Sequence, residues 1–163
     1  MDKKEAFIAI INRHQNLVYK IASLYTNSSE DREDLKQEIL YQLWKSIDSF
    51  NQQSGISTWI YRVALNTAIR QLKISKRSIP YTELQEEHHR FHEFEDRDTE
   101  EKWQTVRRYI NELSLLDKGI VILYLESKTY EEIAEVIGIS ASNVGTRLSR
   151  IKEKIRQQVS DKQ

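Results

Sequence analysis

The chain has 163 residues, of which 31% are charged and 39% hydrophobic, with one proline, four glycines, no cysteine and a formal net charge of zero. That length allows one or two small domains with modest cores. The lack of cysteine excludes disulfides and thiolate metal sites, and no apolar run is long enough to span a bilayer. Few breakers beside abundant Leu, Ile, Glu, Lys, Arg and Gln point to an all-α fold. Nothing at the N-terminus reads as a signal peptide, so the expected location is cytoplasmic.

A net charge of zero, taken alone, argues against nucleic acid, but the charges are sorted along the chain. Met1 to Pro80 holds 12 basic and 8 acidic residues, Tyr81 to Glu101 holds 2 and 9, and the remainder 11 and 8. Two mildly basic ends therefore flank a strongly acidic middle.

In chain order, Asp2 can cap a first helix along which Phe7, Ile10, Ile11, Leu17, Val18, Ile21 and Leu24 recur at helical spacing. His14 lies on or beside that stripe and reads as a packed side chain. Thr26 to Ser29 interrupts the pattern. Ser29 can cap a second helix with Glu30, Asp31 and Glu33 in its first turn, where the helix dipole favours acids. Leu35, Ile39, Leu43, Trp44, Ile47 and Phe50 form its apolar side. Asp34, Gln37, Glu38, Gln42 and Lys45 form the other, which is either a solvated face or a docking face for a protein.

A polar loop around Gly55 leads to Ser57, a cap for a third helix with Trp59, Ile60, Val63, Ala64, Thr67 and Leu72 inward. Arg62, Asn66, Arg70, Lys73 and Arg77 recur at steps of three or four as an outward stripe. No acid occurs from Ser49 to Thr82, whereas a merely solvated helix usually interleaves both signs, so the stripe favours nucleic-acid contact. Tyr61 beside it offers a ring on which an unpaired base can stack. The acidic middle lacks an apolar period and reads as a flexible linker. Its His88, His89 and His92 raise a metal-site reading, but a mobile segment seldom holds a fixed coordination shape, and the default is a solvated tether.

Thr99 can cap a fourth helix with Trp103, Val106, Ile110 and Leu113 on one side. A short apolar fifth, Leu115 to Leu125, turns Ile120, Leu123 and Tyr124 inward. The stretch Thr129 to Gln158 then reads as helix, tight turn, helix. Thr129 and Glu132 have capping-box spacing, Gly138 suits a left-handed C-terminus, and Ser140 can cap the last helix. Ile133, Ala134 and Ile137 line the first helix; Val144, Leu148, Ile151 and Ile155 form one stripe of the second. The opposite side carries Ser142, Asn143, Thr146, Ser149 and Arg150, with Arg147 on its flank. Such a pair occurs in ordinary helical hairpins as well as in DNA readers. The small Ala134 at the crossing and the crowd of Arg147, Arg150, Lys152, Lys154 and Arg156 against the single acid Glu153 favour a helix lying in the major groove.

Three stretches together carry a family resemblance: D-R-E-D-L-K-Q-E-I-L-Y-Q-L-W from Asp31 to Trp44, S-T-W-I-Y-R-V-A-L-N from Ser57 to Asn66, and T-Y-E-E-I-A-E-V-I-G-I-S from Thr129 to Ser140 with the helix that follows. In this order and spacing the chain resembles a bacterial RNA polymerase sigma factor of the sigma-70 family, extracytoplasmic-function (ECF) subfamily. Response regulators share a similar helix-turn-helix but carry an α/β receiver, for which no strand pattern exists here.

The resemblance implies two small helical domains joined by an acidic linker, with region 2 at 1–78, the linker at 79–100 and region 4 at 101–163. It implies a factor without cofactor or metal and without covalent chemistry of its own, which directs core polymerase to promoters and helps to melt them. Asp34, Leu35, Gln37, Glu38 and Leu43 would dock on the polymerase large subunit, whose clamp and flap are the expected contacts. Asn51, Ser54, Tyr61, Arg62, Asn66 and Arg70 would serve the minus-ten element. Asn143, Thr146, Ser149 and Arg150 would face the minus-thirty-five element, with Arg147 on phosphate. The acidic linker would enter the polymerase's nucleic-acid channel, and an anti-sigma factor is an expected partner. Gly145 departs from the family pattern by standing where a basic residue is frequent, and Ile151 by replacing a small one.

Overall fold

The structure, a computed structural model, describes residues 2–50, 55–78 and 97–161, with side chains throughout except at 75–78 and 97–103. Among the described residues there are eight α-helices, one short 3-10 helix and no strand: α1 (Lys3–Arg13), α2 (Gln15–Leu24), α3 (Ser29–Ser46), the 3-10 turn Ile47–Ser49, α4 (Ile56–Ser78), α5 (Arg97–Glu112), α6 (Leu115–Leu125), α7 (Tyr130–Ile137) and α8 (Ala141–Ser160). They fall into two compact units, Met1–His89 and Arg90–Gln163. The all-α expectation holds. The linker expected at 79–100 lies outside the described residues except for 97–100, which already belong to α5.

In the first unit α2, α3 and α4 pack on one another. Leu17, Val18, Ile21, Ala22 and Tyr25 meet Leu35, Ile39 and Leu43 of α3 and Trp59, Ile60, Tyr61, Ala64, Leu65 and Ala68 of α4, all buried. Helix α1 adds no fully buried residue. It leans outside this core, with the Phe7 ring edge-on to Trp44 at 5.1 Å and Lys3 bonded to Asp48 at 2.7 Å.

Three boundaries in this unit differ from the sequence reading. The single N-terminal helix is two helices: the His14 N–H donates to the Ile11 carbonyl at 3.0 Å, which tightens and ends the last turn of α1. His14 stands half-buried at this corner. Ser28, not Ser29, caps α3: its backbone is extended, and its hydroxyl accepts from the Asp31 N–H at 3.1 Å. Adjacent serines carry the same chemistry, so only the backbone decides between them. Helix α4 starts at Ile56, and its first intrahelical acceptor is the Gly55 carbonyl, 3.1 Å from the Trp59 N–H. Ser57 thus lies within the first turn.

In the second unit α7 and α8 pack together, α6 crosses both, and α5 lies on α8. Ile120, Leu123, Ile133, Val136, Val144 and Leu148 are buried at the centre. Tyr109, Val121 and Ile151 form a second patch, covered by Ile110, Leu113 and Ile155. Helix α5 begins at Arg97, so Thr99 is inside it rather than its cap. Tyr124, expected inward, is 37% exposed; the Lys152 ammonium lies 4.2 Å from its ring centre. On the apolar α6, with Val121 and Ile122 also buried, spacing alone could not say which side would stay outside.

Candidate nucleic-acid interface

Local chemistry sets the angle between α7 and α8. The Thr129 hydroxyl accepts from the Glu132 N–H at 3.1 Å, and the Glu132 carboxylate accepts from the Thr129 N–H at 3.2 Å, a closed capping box. Gly138 ends α7 at φ +86°, a left-handed conformation that costs little without a Cβ. The Ser140 hydroxyl accepts from the Asn143 N–H at 3.1 Å and starts α8.

The backbone and side-chain bonds to Thr129, with Lys128 nearby, hold the Glu132 carboxyl below its ordinary value. A carboxylate held low in the folded state adds stability that is present above its unfolded pKa and lost as the pH falls through the folded value. Glu132→Gln is therefore expected to flatten the acid side of the stability profile while leaving its slope near neutral pH unchanged. Denaturant melts from about pH 7 to about pH 3 check this.

With Val144, Leu148 and Ile151 buried, α8 turns Ser142, Asn143, Thr146, Ser149 and Arg150 to the outside. This is the face the sequence predicted. Its five basic residues do not behave alike. Arg156 pairs with Glu153 at 3.3 Å, Lys152 lies over Tyr124, and Arg147 reaches across to Asp117 of α6 at 3.0 Å. Among the described residues only Arg150 and Lys154 of these five make no ion pair or ring contact. Arg147 is thus tied into the fold, whereas the sequence reading set it on phosphate; a partner thirty residues earlier left no local signal.

Gly145 lies on α8 with the Tyr130 ring 3.4 Å from where a Cβ would stand, an ordinary contact. Gly145→Ala is expected to stabilise the second unit by about 1 kcal/mol, because it restores helix propensity without a clash. A rise in the denaturant midpoint checks this.

In the first unit Asn66, Arg70 and Lys73 are exposed along α4, and with Ile69 and Ile74 they line a shallow groove. Arg62 is half-buried. Tyr61, expected beside this stripe as a stacking platform, is only 2% exposed. Its ring is part of the core, because α4 is covered by both α2 and α3, and no base can reach the ring face in this conformation. Asn51, Ser54, the histidine cluster and the side chain of Arg77 lie outside the described residues.

Helix α3 sorts its expected docking residues in two. Asp34 and Gln37 are exposed, and Glu38, half-buried, accepts from the Gln42 amide at 3.0 Å. Leu35 and Leu43 are 2% and 0% exposed; they pack toward α2 and α4 and offer nothing to a partner. Sequence reasoning missed Tyr41, 53% exposed one turn beyond Gln37, and placed Trp44 inside although it is 37% exposed. The signal for Tyr41 was its spacing of four from Gln37 on the polar side.

Residues 10–78 match the family model of sigma-70 region 2, and residues 103–155 that of sigma-70 region 4. The chain is 30% identical to the ECF RNA polymerase sigma-E factor of Escherichia coli, over 96% of this chain and 87% of that one. It belongs to the ECF sigma factors. Another ECF RNA polymerase sigma-E factor, from Haemophilus influenzae, is 29% identical over 96% of this chain and 88% of its own. The fold is also that of the sigma factor RpoE from Bartonella quintana, solved with the anti-sigma factor NepR, at a TM-score of 0.72, 18% identity and 96% coverage of both chains. CnrH, solved with the cytosolic domain of CnrY, gives 0.68 at 19% identity over 99% of this chain and 92% of that one. As an ECF sigma factor the protein binds core RNA polymerase and directs promoter recognition, melting and transcription initiation. No described helix is long and apolar enough to cross a membrane.

Proposed function

We propose that the two units divide the work of initiation, the first (1–78) serving polymerase and the minus-ten element and the second (101–163) serving the minus-thirty-five element. The observation that carries the second half is α8, whose buried stripe leaves Asn143, Thr146, Ser149 and Arg150 together on the outside. A helix so disposed enters the major groove with its N-terminal half at base edges. In the first unit Arg62, Asn66 and Arg70 follow the strand backbone near the melted segment. Separating bases costs a few kcal/mol per step, and contacts to the freed strand offset part of that. Asp34, Gln37 and Glu38 of α3 dock on the polymerase clamp. An anti-sigma factor masks these faces in the cytoplasm until a signal releases the protein.

The test is run-off transcription of genomic DNA by core polymerase with the purified chain, followed by sequencing of the transcripts. A shared minus-ten and minus-thirty-five motif is the expected result. Arg150→Ala is expected to keep polymerase binding and reduce transcription from minus-thirty-five-dependent promoters by about tenfold, the loss of one good base contact. Transcripts without a common upstream motif would refute the division of labour. Tight, specific duplex binding by the chain without polymerase would instead favour a stand-alone repressor.

A further inference from the structure

Arg147 makes two bonds at once. Its Nη1 donates to the Asp117 carboxylate at 3.0 Å, and its Nε donates to Asn143 Oδ1 at 3.3 Å, one turn back on α8. Asp117 is itself fixed, since its backbone N–H donates to the capping hydroxyl of Ser114 at 3.1 Å. A guanidinium only donates. The amide atom of Asn143 that faces it must therefore be the oxygen, and the amide NH2 is the end left for the groove.

From this geometry we infer that Arg147 is a positioning residue for base recognition: anchored by Asp117, it holds the Asn143 amide so that a hydrogen-bond donor, not the usual donor and acceptor pair, meets the base edge. The inference rests on the reading of α8 as the minus-thirty-five reader. A free asparagine prefers adenine, to whose N6 and N7 it presents an acceptor and a donor together. An asparagine offering only donors favours guanine, where O6 and N7 are neighbouring acceptors, and disfavours cytosine, whose amino group is itself a donor. Releasing Arg147 frees the amide to rotate, and adenine becomes its better partner. Arg147 thereby influences sequence choice without touching DNA, and its charge is already balanced by a carboxylate.

The experiment uses holoenzyme assembled from core polymerase and the full chain, a promoter library randomised across the minus-thirty-five segment with each promoter paired to its own barcode in the transcribed region, and sequencing of the transcripts' barcodes. One position is expected to prefer guanine over cytosine by about three- to tenfold, and Asn143→Ala should level that position alone. Arg147→Lys, which keeps the charge but loses the two-pronged geometry, should move the same position toward adenine. Asp117→Ala should move it in the same direction from a different helix. The salt dependence of promoter binding is expected to stay the same in Arg147→Ala, whereas loss of a phosphate contact would lower the logarithmic slope by about one and weaken all sequences alike.

An adenine preference already present in the unaltered protein, an unchanged guanine preference in Arg147→Lys, or a lowered salt slope in Arg147→Ala would each overturn the inference. Arg150→Ala separates this failure from that of the broader reading. If Arg150→Ala changes a minus-thirty-five position while the Asn143 and Arg147 variants change none, only the positioning role falls. If none of the three changes any position, α8 is not the reader.

Discussion

Leu148→Ala is expected to remove about 3 kcal/mol from the second unit, within the range of buried leucine truncations, and to leave the first unit untouched. Leu148 is almost fully buried in the middle of the α8 stripe, between Val144 and Ile151, and α6, α7 and α8 share one small core. A core of this size rarely supplies more than about 3–5 kcal/mol in all, so a single truncation takes most of it. The exposed face of α8 would then be lost through unfolding, although Leu148 is not part of it. Hydrogen exchange on the full chain checks this: protection across α6, α7 and α8 should fall by about a hundredfold while that of α2, α3 and α4 is unchanged. Arg150→Ala is the control, since an exposed side chain away from special features shifts stability by no more than about 0.5 kcal/mol. An equal loss of protection in both units would mean that they do not fold separately.

The features that sequence alone made legible are those set by neighbours in the chain. The capping box at Thr129 and Glu132, the left-handed Gly138 and the Ser140 cap depend on chemistry within four residues, and each stands where the spacing put it. The exposed face of α8 was legible too, because this helix is buried along one stripe and the period marks that stripe. Helix α4 is different. Packed by α2 on one side and α3 on another, it buries Tyr61, Leu65 and Ala68 as well as Trp59, Ile60, Ala64 and Thr67 of the expected inner face, while Val63 and Leu72 of that face are half-buried. A pattern that distinguishes one inner side from one outer side cannot describe a helix covered on two.

Two other differences have the same kind of origin. Leu35 and Leu43 lay within a stretch that the family resemblance assigns to polymerase docking, yet the segment's apolar members hold the unit together and only its polar members face outward. A shared segment shows where a function lies, not which of its side chains carry it. The bond between Asp117 and Arg147 joins residues on helices that meet only after the unit has folded, so no local rule reveals it. The break at His14 left no mark because the apolar spacing runs straight through it.

At Tyr61 alanine is expected to cost about 3–5 kcal/mol, as for other buried aromatics, and phenylalanine no more than about 1.5 kcal/mol, because the ring volume is kept and only the hydroxyl is lost. Arg70→Ala, on the exposed side of the same helix, should change stability by no more than about 0.5 kcal/mol and yet reduce promoter opening. The contrast separates a core ring from the exposed side chain proposed to meet DNA. A stacking platform would behave the opposite way: alanine there would leave the unfolding transition in place and weaken capture of the melted strand. Two measurements decide it, the denaturant midpoint of each full-length variant and permanganate reactivity of unpaired thymines in the open promoter complex. Tyr61→Phe should open promoters as well as the unaltered protein does, since the buried ring keeps its volume and its place among α2, α3 and α4. Loss of opening in Tyr61→Phe at unchanged stability would mean that the side chain swings out of the core to meet DNA. That movement would leave a cavity the size of an aromatic side chain between the three helices, and the penalty for such a cavity, several kcal/mol, is the physical reason to expect the ring to stay.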